Sequence, residues 1–295
     1  MKSEFWKWPE VDGVATGLDC KNASVITAGI DIGATGSKAA ILVDGQLAAY
    51  SILYNVADSG ENGKRVLDKA LAAAGIGMNA IQKTVSTGYG KANVPFADEV
   101  ATDIACHARG AFTMYGPSVR TVLDMGAQGT KAIMVDQYGK VAAFLLNDKC
   151  SSGVGRGIEN FADIMAIPIE DIGKLSLEVD DEPEPVSSTC ITYANSMAAQ
   201  MMRKASKNRV LASYCFSIAW KDYIQLQRMA NQSGDGKVAQ DLAITGGVAK
   251  NTGIVTRIER ELGMKSLISE KGDPQIAGAV GAAVFAAEMT GAGAS

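Results

Sequence analysis

Two ten-residue stretches decide the fold of this chain. Residues 30–39 read Ile-Asp-Ile-Gly-Ala-Thr-Gly-Ser-Lys-Ala, and residues 123–132 read Leu-Asp-Met-Gly-Ala-Gln-Gly-Thr-Lys-Ala. At an offset of 93 residues, the aspartate, both glycines, the lysine and both alanines coincide. Each stretch is preceded by an apolar run typical of a β-strand, Val25–Ile30 in the first copy and Val119–Leu123 in the second. Each is followed by a second strand-like run, a turn and a third strand-like run. In the first copy the turn is Asp44-Gly45, a strong hairpin signal. We therefore predict a duplicated α/β chain in which each half carries a glycine-rich hairpin.

The repeated string has the residue types of a phosphate-binding turn. Its glycines let the backbone bend and approach a ligand, and successive N–H groups in such a turn bind anions. Hydroxyl groups at Thr35, Ser37 and Thr130 are further candidate donors. Asp31 and Asp124 stand at the strand ends, where a carboxylate can hold hydrated Mg²⁺. The predicted phosphate-binding residues are Gly33, Ala34, Thr35, Gly36, Ser37, Lys38, Gly126, Ala127, Gly129 and Thr130.

A third element comes late in the chain. Residues 243–251 read as a short apolar strand, a Gly246-Gly247 turn and the start of a helix. A glycine pair lets a flat ring lie against the backbone, and a helix N-terminus favours a polar or anionic ligand. We predict that Gly246, Gly247 and Lys250 bind adenosine. Asp273-Pro274 is typical of the N-cap and first residue of a last helix.

Composition excludes several classes of function. With 28 Lys and Arg against 32 Asp and Glu, and no basic run, the chain lacks the footprint of a nucleic-acid binder. Residues 1–23 lack the apolar core of a signal peptide, and the apolar stretch 277–287 is far below the ~20 residues that cross a bilayer. We expect a cytoplasmic protein with neither a membrane nor a nucleic-acid partner.

Few residues are available for metal or nucleophilic chemistry. The five cysteines, an odd number at irregular spacings, do not indicate a disulfide framework. His107 is the single histidine, which excludes a multi-histidine metal site, and we interpret it as structural. No P-loop string is present. Gly153-Val154-Gly155 begins like a dinucleotide fingerprint, but Ile158 occupies the third glycine position.

The order of hairpin, helices, second hairpin, helices and Gly-Gly turn resembles the acetate kinase, sugar kinase, Hsp70 and actin superfamily. Within it, the chain resembles the ATP-dependent activators of 2-hydroxyacyl-CoA dehydratases and the ATPase subunits of benzoyl-CoA reductase, from about Val25 to Ala287. Four strings carry this likeness: Ser86-Thr87-Gly88-Tyr89-Gly90-Lys91, Cys106-His107-Ala108-Arg109-Gly110-Ala111, Asn147-Asp148-Lys149-Cys150 and Ser187-Ser188-Thr189-Cys190.

The resemblance implies a duplicated ribonuclease H-like, actin/Hsp70-type ATPase of the α/β class, two-lobed, with nucleotide in the interlobe cleft. It implies an N-terminal arm at 1–24, a first lobe of 25–118 plus about 275–295, and a second lobe of 119–274. The second lobe would carry the cysteines and the adenosine turn.

The resemblance also assigns residue roles. Cys150 and Cys190 would bind a four-iron four-sulfur cluster, which normally takes four cysteines, so a homologous second subunit would supply the other two across a two-fold or pseudo-two-fold axis. Asp31 and Asp124 would orient Mg²⁺ and the attacking water, with Gln128 as the third catalytic residue. The activators tend to have Asp-Ile-Gly-Gly-Gln-Asp where this chain has Gly129 in place of the second acid.

The function expected on this basis is an ATP-hydrolysing subunit that passes low-potential electrons through the shared cluster to catalytic subunits that reduce an aromatic acyl-CoA, as in benzoyl-CoA reductase, with ferredoxin as electron donor. Three alternatives stay open. One is a homodimeric activator of a 2-hydroxyacyl-CoA dehydratase. Another is a sugar or N-acetylhexosamine kinase with Asp103 as base. The third is a non-catalytic nucleotide-binding regulatory module. The aromatic residues of the N-terminal arm favour docking onto a larger complex, and a disordered start is the alternative.

Overall fold

A computed structural model describes residues 4–15, 17–18, 20, 22–148, 154–187, 190–234 and 236–291 of the chain. These residues form two compact units. Unit 1 takes the described residues of 1–9, 123–133 and 143–267, and unit 2 takes those of 10–122, 134–142 and 268–295. The chain is of the mixed α/β class, as predicted.

Eleven strands and eight helices make up the described part of the chain. The strands are β1 (Val11–Val14), β2 (Ile26–Ile32), β3 (Gly36–Val43), β4 (Gln46–Tyr54), β5 (Lys83–Gly88), β6 (Glu99–Val100), β7 (Thr121–Met125), β8 (Thr130–Val135), β9 (Val141–Asn147), β10 (Leu242–Thr245) and β11 (Ser266–Leu267). The helices are α1 (Ser59–Ala74), α2 (Asp103–Tyr115), α3 (Val154–Met165), α4 (Ile169–Leu177), α5 (Ile191–Met201), α6 (Lys207–Gln232), α7 (Thr252–Leu262) and α8 (Ala277–Met289).

Unit 2 is built on a six-stranded sheet in the order β1-β4-β3-β2-β5-β6. Strands β2 and β3 are antiparallel, and the turn between β3 and β4 contains Asp44 and Gly45, both at positive φ, which confirms the predicted hairpin. Strand β2 is parallel to β5 and buried along its whole length. Helix α8 packs on β2 and α2, and a side chain at Gly29 or Gly281 would overlap the backbone of the neighbouring element. These glycines therefore set the close packing beneath the first hairpin.

The second sheet has five strands in the order β11-β10-β7-β8-β9. Its central strand β7 is fully buried, whereas its edge strand β9 alternates between half-buried and exposed residues. Helices α4, α6 and α7 of unit 1 pack against one another. The last helix α8 is preceded by a short 3₁₀ turn whose N-cap is Asp273, and the Asp273 carboxylate accepts from the Gln275 N–H. The predicted cap at Asp273 is confirmed for the 3₁₀ turn, but the last α-helix itself begins three residues later than predicted, at Ala277.

The N-terminal arm is ordered in its described part. Strand β1 pairs antiparallel with β4, with Val11 opposite Ile52. The aromatic side chains of Phe5, Trp6 and Trp8 are half-buried. The alternative of a disordered start is wrong for these residues, because backbone pairing and aromatic packing hold them. No helix within the described ranges has both the length and the apolarity needed to cross a bilayer.

Candidate functional site: two aspartate hairpins, a glycine turn and two cysteine segments

The turn of the first hairpin is closed by its own backbone. The Gly33 N–H donates to the Gly36 carbonyl at 3.1 Å. Asp31 and Lys38 are paired in register across β2 and β3, and the Lys38 ammonium lies 3.3 Å from Asp31 Oδ2. Asp31 is only 3 % exposed, so its charge needs this nearby cation. The hairpin thus holds one carboxylate at its base and exposes a short turn, residues 33–36, above it.

Two glycines, Gly88 and Gly278, lie beside the carboxylate of Asp31. A Cβ on Gly88, which has φ +87°, would overlap Asp31 Oδ1. A Cβ on Gly278 would lie 3.1 Å from both Asp31 Oδ2 and His107 Nε2. His107 Nε2 in turn lies 3.1 Å from Asp103 Oδ1. Glycines at these two points let the neighbouring backbone lie close against the carboxylate. The assignment of Mg²⁺ to Asp31 stays a prediction.

The second hairpin repeats this plan. The Gly126 N–H donates to the Gly129 carbonyl at 2.9 Å. The Lys131 ammonium lies 2.6 Å from Asp124 Oδ2, and Asp124 is 2 % exposed. The Thr245 hydroxyl donates to Asp124 Oδ1 at 3.0 Å. Gly246, at φ +86°, would bring a Cβ within 3.0 Å of the same oxygen. Asp124 therefore sits in a tighter network than Asp31.

The predicted hydroxyl donors have partners inside the protein. The Ser37 hydroxyl donates to Asn55 Oδ1 at 2.6 Å, and the Thr130 hydroxyl donates to Gln225 Oε1 at 2.6 Å. Both amide side chains also donate to hairpin carbonyls, Asn55 to Gly33 and Gln225 to Thr130. These two hydroxyls hold the hairpins in shape. At the turns themselves Ala34 and Gln128 are exposed, and Gly33, Thr35, Gly36, Gly126, Ala127 and Gly129 are half-buried.

The late glycine turn has the geometry that was predicted for it. Strand β10 ends at Thr245, and residues Gly247–Lys250 form a 3₁₀ turn. Helix α7 follows, and Asn251 caps it by accepting from the Ile254 N–H at 3.1 Å. The Lys250 ammonium lies 4.7 Å from the ring centroid of Trp8, a cation–π distance. A residue of the N-terminal arm therefore reaches the turn to which sequence analysis assigned adenosine.

Of the two predicted cluster ligands, the structure describes Cys190, and Cys150 lies outside the described residues. Cys190 is the N-cap of helix α5, is half-buried, and its thiol makes no capping hydrogen bond. The Cys190 carbonyl accepts the first helical bond, from Ala194, at 2.9 Å. The positive end of a helix favours a thiolate or a negatively charged cluster, so Cys190 fits the predicted ligand role.

Residues 149–153, which include Cys150, lie outside the described residues, and described residues before and after them approach the second hairpin. Before them, a Cβ on Gly129 would lie 3.2 Å from the Asn147 carbonyl. After them, the first N–H groups of helix α3 donate into the turn: Gly155 to the Gly126 carbonyl and Arg156 to the Ala127 carbonyl, each at 3.1 Å. N–H groups of a first helical turn have no partner within the helix, and here two are satisfied by the hairpin.

The other described cysteines are of a different kind. Burial raises the pKa of Cys106 to about 12 and that of Cys215 to about 11, so both stay protonated thiols. Cys20 is half-buried. Across the described ranges no three side chains of the His, Cys, Asp and Glu types converge on one point that suits a metal ion.

Sequence reasoning missed several residues around the two carboxylates: Gly88, Lys131, Thr245, Gly278 and the pair of Asp103 with His107. For Lys131 the signal was present, because the repeat aligns it with Lys38. The Thr-Gly pairs at 87–88 and 245–246 each end a strand and were a second, weaker signal. Gly278 and His107 had none, since only the packing of helices α8 and α2 brings them to Asp31.

Comparison with known proteins is consistent with this geometry. Residues 28–286 match the model of the BadF/BadG/BcrA/BcrD ATPase family. The activator of lactoyl-CoA dehydratase from Anaerotignum propionicum is 35 % identical over 263 residues, 89 % of this chain and 97 % of that protein. A benzoyl-CoA reductase subunit from Thauera aromatica is 32 % identical over 274 residues, 89 % of this chain and 93 % of that protein.

Solved structures show the same fold. The activator of the 2-hydroxyisocaproyl-CoA dehydratase from Clostridium difficile, with bound ADPNP, superposes with a TM-score of 0.79 at 31 % identity and covers 90 % of this chain and 96 % of that one. A ROK family glucokinase from Streptomyces griseus, at 15 % identity and a TM-score of 0.53 over 89 % of this chain and 99 % of that one, shares the fold alone. The predicted actin/Hsp70-type ATPase fold is confirmed.

Proposed function

Because the chain belongs to the BadF/BadG/BcrA/BcrD ATPase family, we propose that it hydrolyses ATP to drive electrons onto a partner enzyme that acts on an acyl-CoA. The nucleotide-bound activator and the dehydratase activators among its relatives support this assignment. The observation that carries it is the bonding of the phosphate turn, at Gly126 and Ala127, to the helix that follows Cys150. A change at the phosphates would reach helix α3 through two hydrogen bonds.

In this proposal Asp31 holds Mg²⁺, Asp124 orients the second turn, and Gln128 positions the attacking water. The half-buried lysines Lys38 and Lys131 each form an ion pair with the aspartate of their own hairpin. Within unit 2, backbone N–H groups of residues 33–36 are proposed as phosphate donors. Within unit 1, those of residues 126–129 are proposed as phosphate donors, and Gly246, Gly247 and Lys250 are proposed to bind adenosine.

Cys150 and Cys190 are proposed to bind an iron-sulfur cluster that transfers single electrons. Cys190 supplies a thiol at the positive end of α5. Two thiolates are half of the usual set, so a second subunit supplies the others, as a homodimer or as a homologous pair. The residues of this chain orient the thiolates, shield them from water and transmit the state of the nucleotide.

The partner enzyme is proposed in two forms. An activator of a 2-hydroxyacyl-CoA dehydratase is the first, because relatives with that name reach 35 % identity. A subunit of an aromatic acyl-CoA reductase, with ferredoxin as donor, is the second. It is supported by the likeness to the benzoyl-CoA reductase subunit.

The cluster is tested by chemical analysis. The chain is purified anaerobically, and iron and sulfide are measured for the unchanged protein and for Cys150→Ser, Cys190→Ser and Cys20→Ser. We expect the first two variants to lose iron and Cys20→Ser to keep it, since Cys20 has no assigned role. Iron content in Cys190→Ser equal to that of the unchanged protein would refute the ligand assignment.

The partner is tested by co-purification. An activator separates from its dehydratase as a homodimer, whereas a reductase subunit stays in a complex with unlike chains. ATP-dependent dehydration of a 2-hydroxyacyl-CoA or ATP-dependent reduction of benzoyl-CoA by the reconstituted system then identifies the acyl-CoA class. A colourless, iron-free chain that phosphorylates sugars would contradict both forms.

A further inference from the structure

The segment that leads into Cys190 is tied to two helices by adjacent acidic residues. It runs from the end of α4 through residues 178–187, which form neither helix nor strand. Asp181 pairs with Arg209 of helix α6 through two hydrogen bonds of 2.6 and 2.9 Å. Glu182 pairs instead with Arg257 and Arg260 of helix α7. The two neighbours therefore contact different helices.

The contact of the half-buried Glu182 with α7 includes one buried partner, Arg257. The Arg257 side chain is 1 % exposed, and its Nε donates to Glu182 Oε1 at 2.8 Å. Its remaining donors go to the Ser176 hydroxyl and carbonyl and to the Gly253 carbonyl. Arg257 thus joins the end of α4, the first turn of α7 and the cysteine segment. A buried, multiply bonded arginine holds its partners in fixed geometry, because a broken bond would leave a buried charge unpaired.

Helix α7 is also the helix that starts at the Gly246–Lys250 turn. Asn251 caps it directly after Lys250, and Gly253 packs so closely on Gly173 that a Cβ on Gly253 would lie 2.7 Å from the Gly173 carbonyl. A displacement of the turn therefore displaces the helix as a unit. On the other side of Glu182, Val186 is 2 % exposed, and its N–H donates to the Ser213 carbonyl at 3.3 Å. The described residues of this segment are therefore anchored to helices on both sides of Glu182.

We propose that Glu182 is a positioning residue that couples the Gly246–Lys250 turn to Cys190 through helix α7. The proposal rests on the function proposed above, in which that turn binds adenosine and Cys190 binds the cluster. Glu182 touches neither group. It transmits the position of α7 to the cysteine segment, whereas Asp181 fastens the same segment to α6.

The test measures the Cys190 thiol itself in the full-length, cluster-free chain. The rate of alkylation by iodoacetamide is followed at Cys190 by peptide mass spectrometry, with and without Mg²⁺ and ADPNP. The variants are Glu182→Gln and, as the matched control one residue away, Asp181→Asn. We expect the nucleotide to change the Cys190 rate in the unchanged chain and in Asp181→Asn, and this change to be lost in Glu182→Gln. The affinity for ADPNP, measured by calorimetry, should be the same in all three.

A purely structural role would not produce this pattern, since it would alter the rate equally with and without nucleotide. Should Glu182→Gln fail to fold, as judged by its melting curve, Arg260→Gln replaces it, because this half-exposed arginine leaves the buried Arg257 bond in place. We expect Arg260→Gln to reduce the nucleotide response more than Asp181→Asn does. A full response in either α7-side variant overturns the proposal.

The failure of the proposal is distinct from failure of the proposed function. A chain that binds ADPNP but shows no change at Cys190 has no coupling, and the inference about Glu182 is then wrong while nucleotide binding stands. A Glu182-dependent response in a chain whose Cys190→Ser variant keeps its iron would retain the coupling and refute the cluster ligand.

Discussion

The two hairpins carry the same aspartate and lysine but surround them differently. Asp124 receives hydrogen bonds on both oxygens, from Lys131 at 2.6 Å and from Thr245 at 3.0 Å. Asp31 receives one bond within the described part of the chain, from Lys38 at the longer distance of 3.3 Å. A carboxylate with both oxygens engaged has less capacity left for a metal ion. On this ground we expect Asp31 to face the metal ion of the proposed site and Asp124 to hold its own hairpin.

The largest predicted effect tests this division directly. Asp31→Asn should lower the ATPase rate by about 100-fold or more, the scale of removing one electrostatic group from a reaction centre. Asp124→Asn should lower the rate less and the stability more, because it leaves Lys131 beside a neutral amide; breaking such a buried pair costs about 3 kcal/mol. Steady-state ATPase assays and urea unfolding of both variants give the two quantities.

The difference between the hairpins is tested by whether Asp31→Asn loses more ATPase activity than Asp124→Asn. Thermal melting in the presence of increasing Mg²⁺ is the control, since Asp31→Asn should lose a metal-dependent rise that Asp124→Asn keeps. Equal ATPase losses, or a larger loss in Asp124→Asn, would show that both hairpins take part in metal binding and that their divergence is only structural.

The second prediction concerns the glycines that abut the carboxylates. Gly88 and Gly246 have φ near +87° and +86°, and a Cβ at either would overlap a neighbouring oxygen. Alanine there should cost about 3 kcal/mol or more, from the left-handed backbone and the overlap together. Gly75→Ala is the matched control, because Gly75 has φ +68° with nothing within 4 Å and should cost only about 1–2 kcal/mol. Urea unfolding measures the free energy of unfolding of all three variants. Equal losses at Gly75 and Gly246 would mean that the overlap of the new Cβ with the neighbouring oxygens does not lower stability.

Features that depend on residues close in sequence could be predicted from the sequence, whereas features that depend on distant residues could not. The hairpins, the Asp44-Gly45 turn and the Asp273 cap depend on residues close in sequence, and their signals were readable. The partners of Asp31 were not, because Gly88, His107 and Gly278 reach it only through sheet pairing and helix packing. The hydroxyls of Ser37 and Thr130 looked like phosphate donors for the same reason: their amide partners lie 18 and 95 residues away.

A buried acid lies behind the second hairpin, and this also separates it from the first. Asp222 of helix α6 is fully buried, and neither carboxylate oxygen has a hydrogen-bond partner in the described part of the chain. Burial raises the pKa of Asp222 from 3.8 to about 6, while the charge of the neighbouring Lys221 acts in the opposite sense. The acid lies one helical turn from Gln225, which holds Thr130.

The third prediction follows from the sign of that shift. Below pH 3.8, the pKa of Asp222 in the unfolded chain, the carboxyl is protonated in both states and does not lower the free energy of unfolding. Between pH 3.8 and about 6 it ionises first in the unfolded state, so the free energy of unfolding falls as the pH rises. Above pH 6 the full destabilisation is present. Asp222→Asn should therefore raise the free energy of unfolding on the order of 1–3 kcal/mol at about pH 8 and hardly at all at about pH 4. Asp181→Asn is the exposed control, and a gain equal at both pH values would assign the effect to packing instead.

The smallest predicted effect separates the scaffold of the hairpins from their ligand. Ser37→Ala and Thr130→Val each remove one hydroxyl donor while leaving the backbone N–H groups of the turn in place. Each should cost about 1 kcal/mol of stability, the net value of one internal hydrogen bond, with Thr130→Val the costlier because the amide oxygen of Gln225 is more deeply buried. The KM for ATP should stay unchanged in both, since these hydroxyls point to amides and not to the turn. A raised KM in Ser37→Ala alone would mean that the first hairpin releases its serine to the phosphates, and the two hairpins would then differ in ligand contacts as well as in the surroundings of their aspartates.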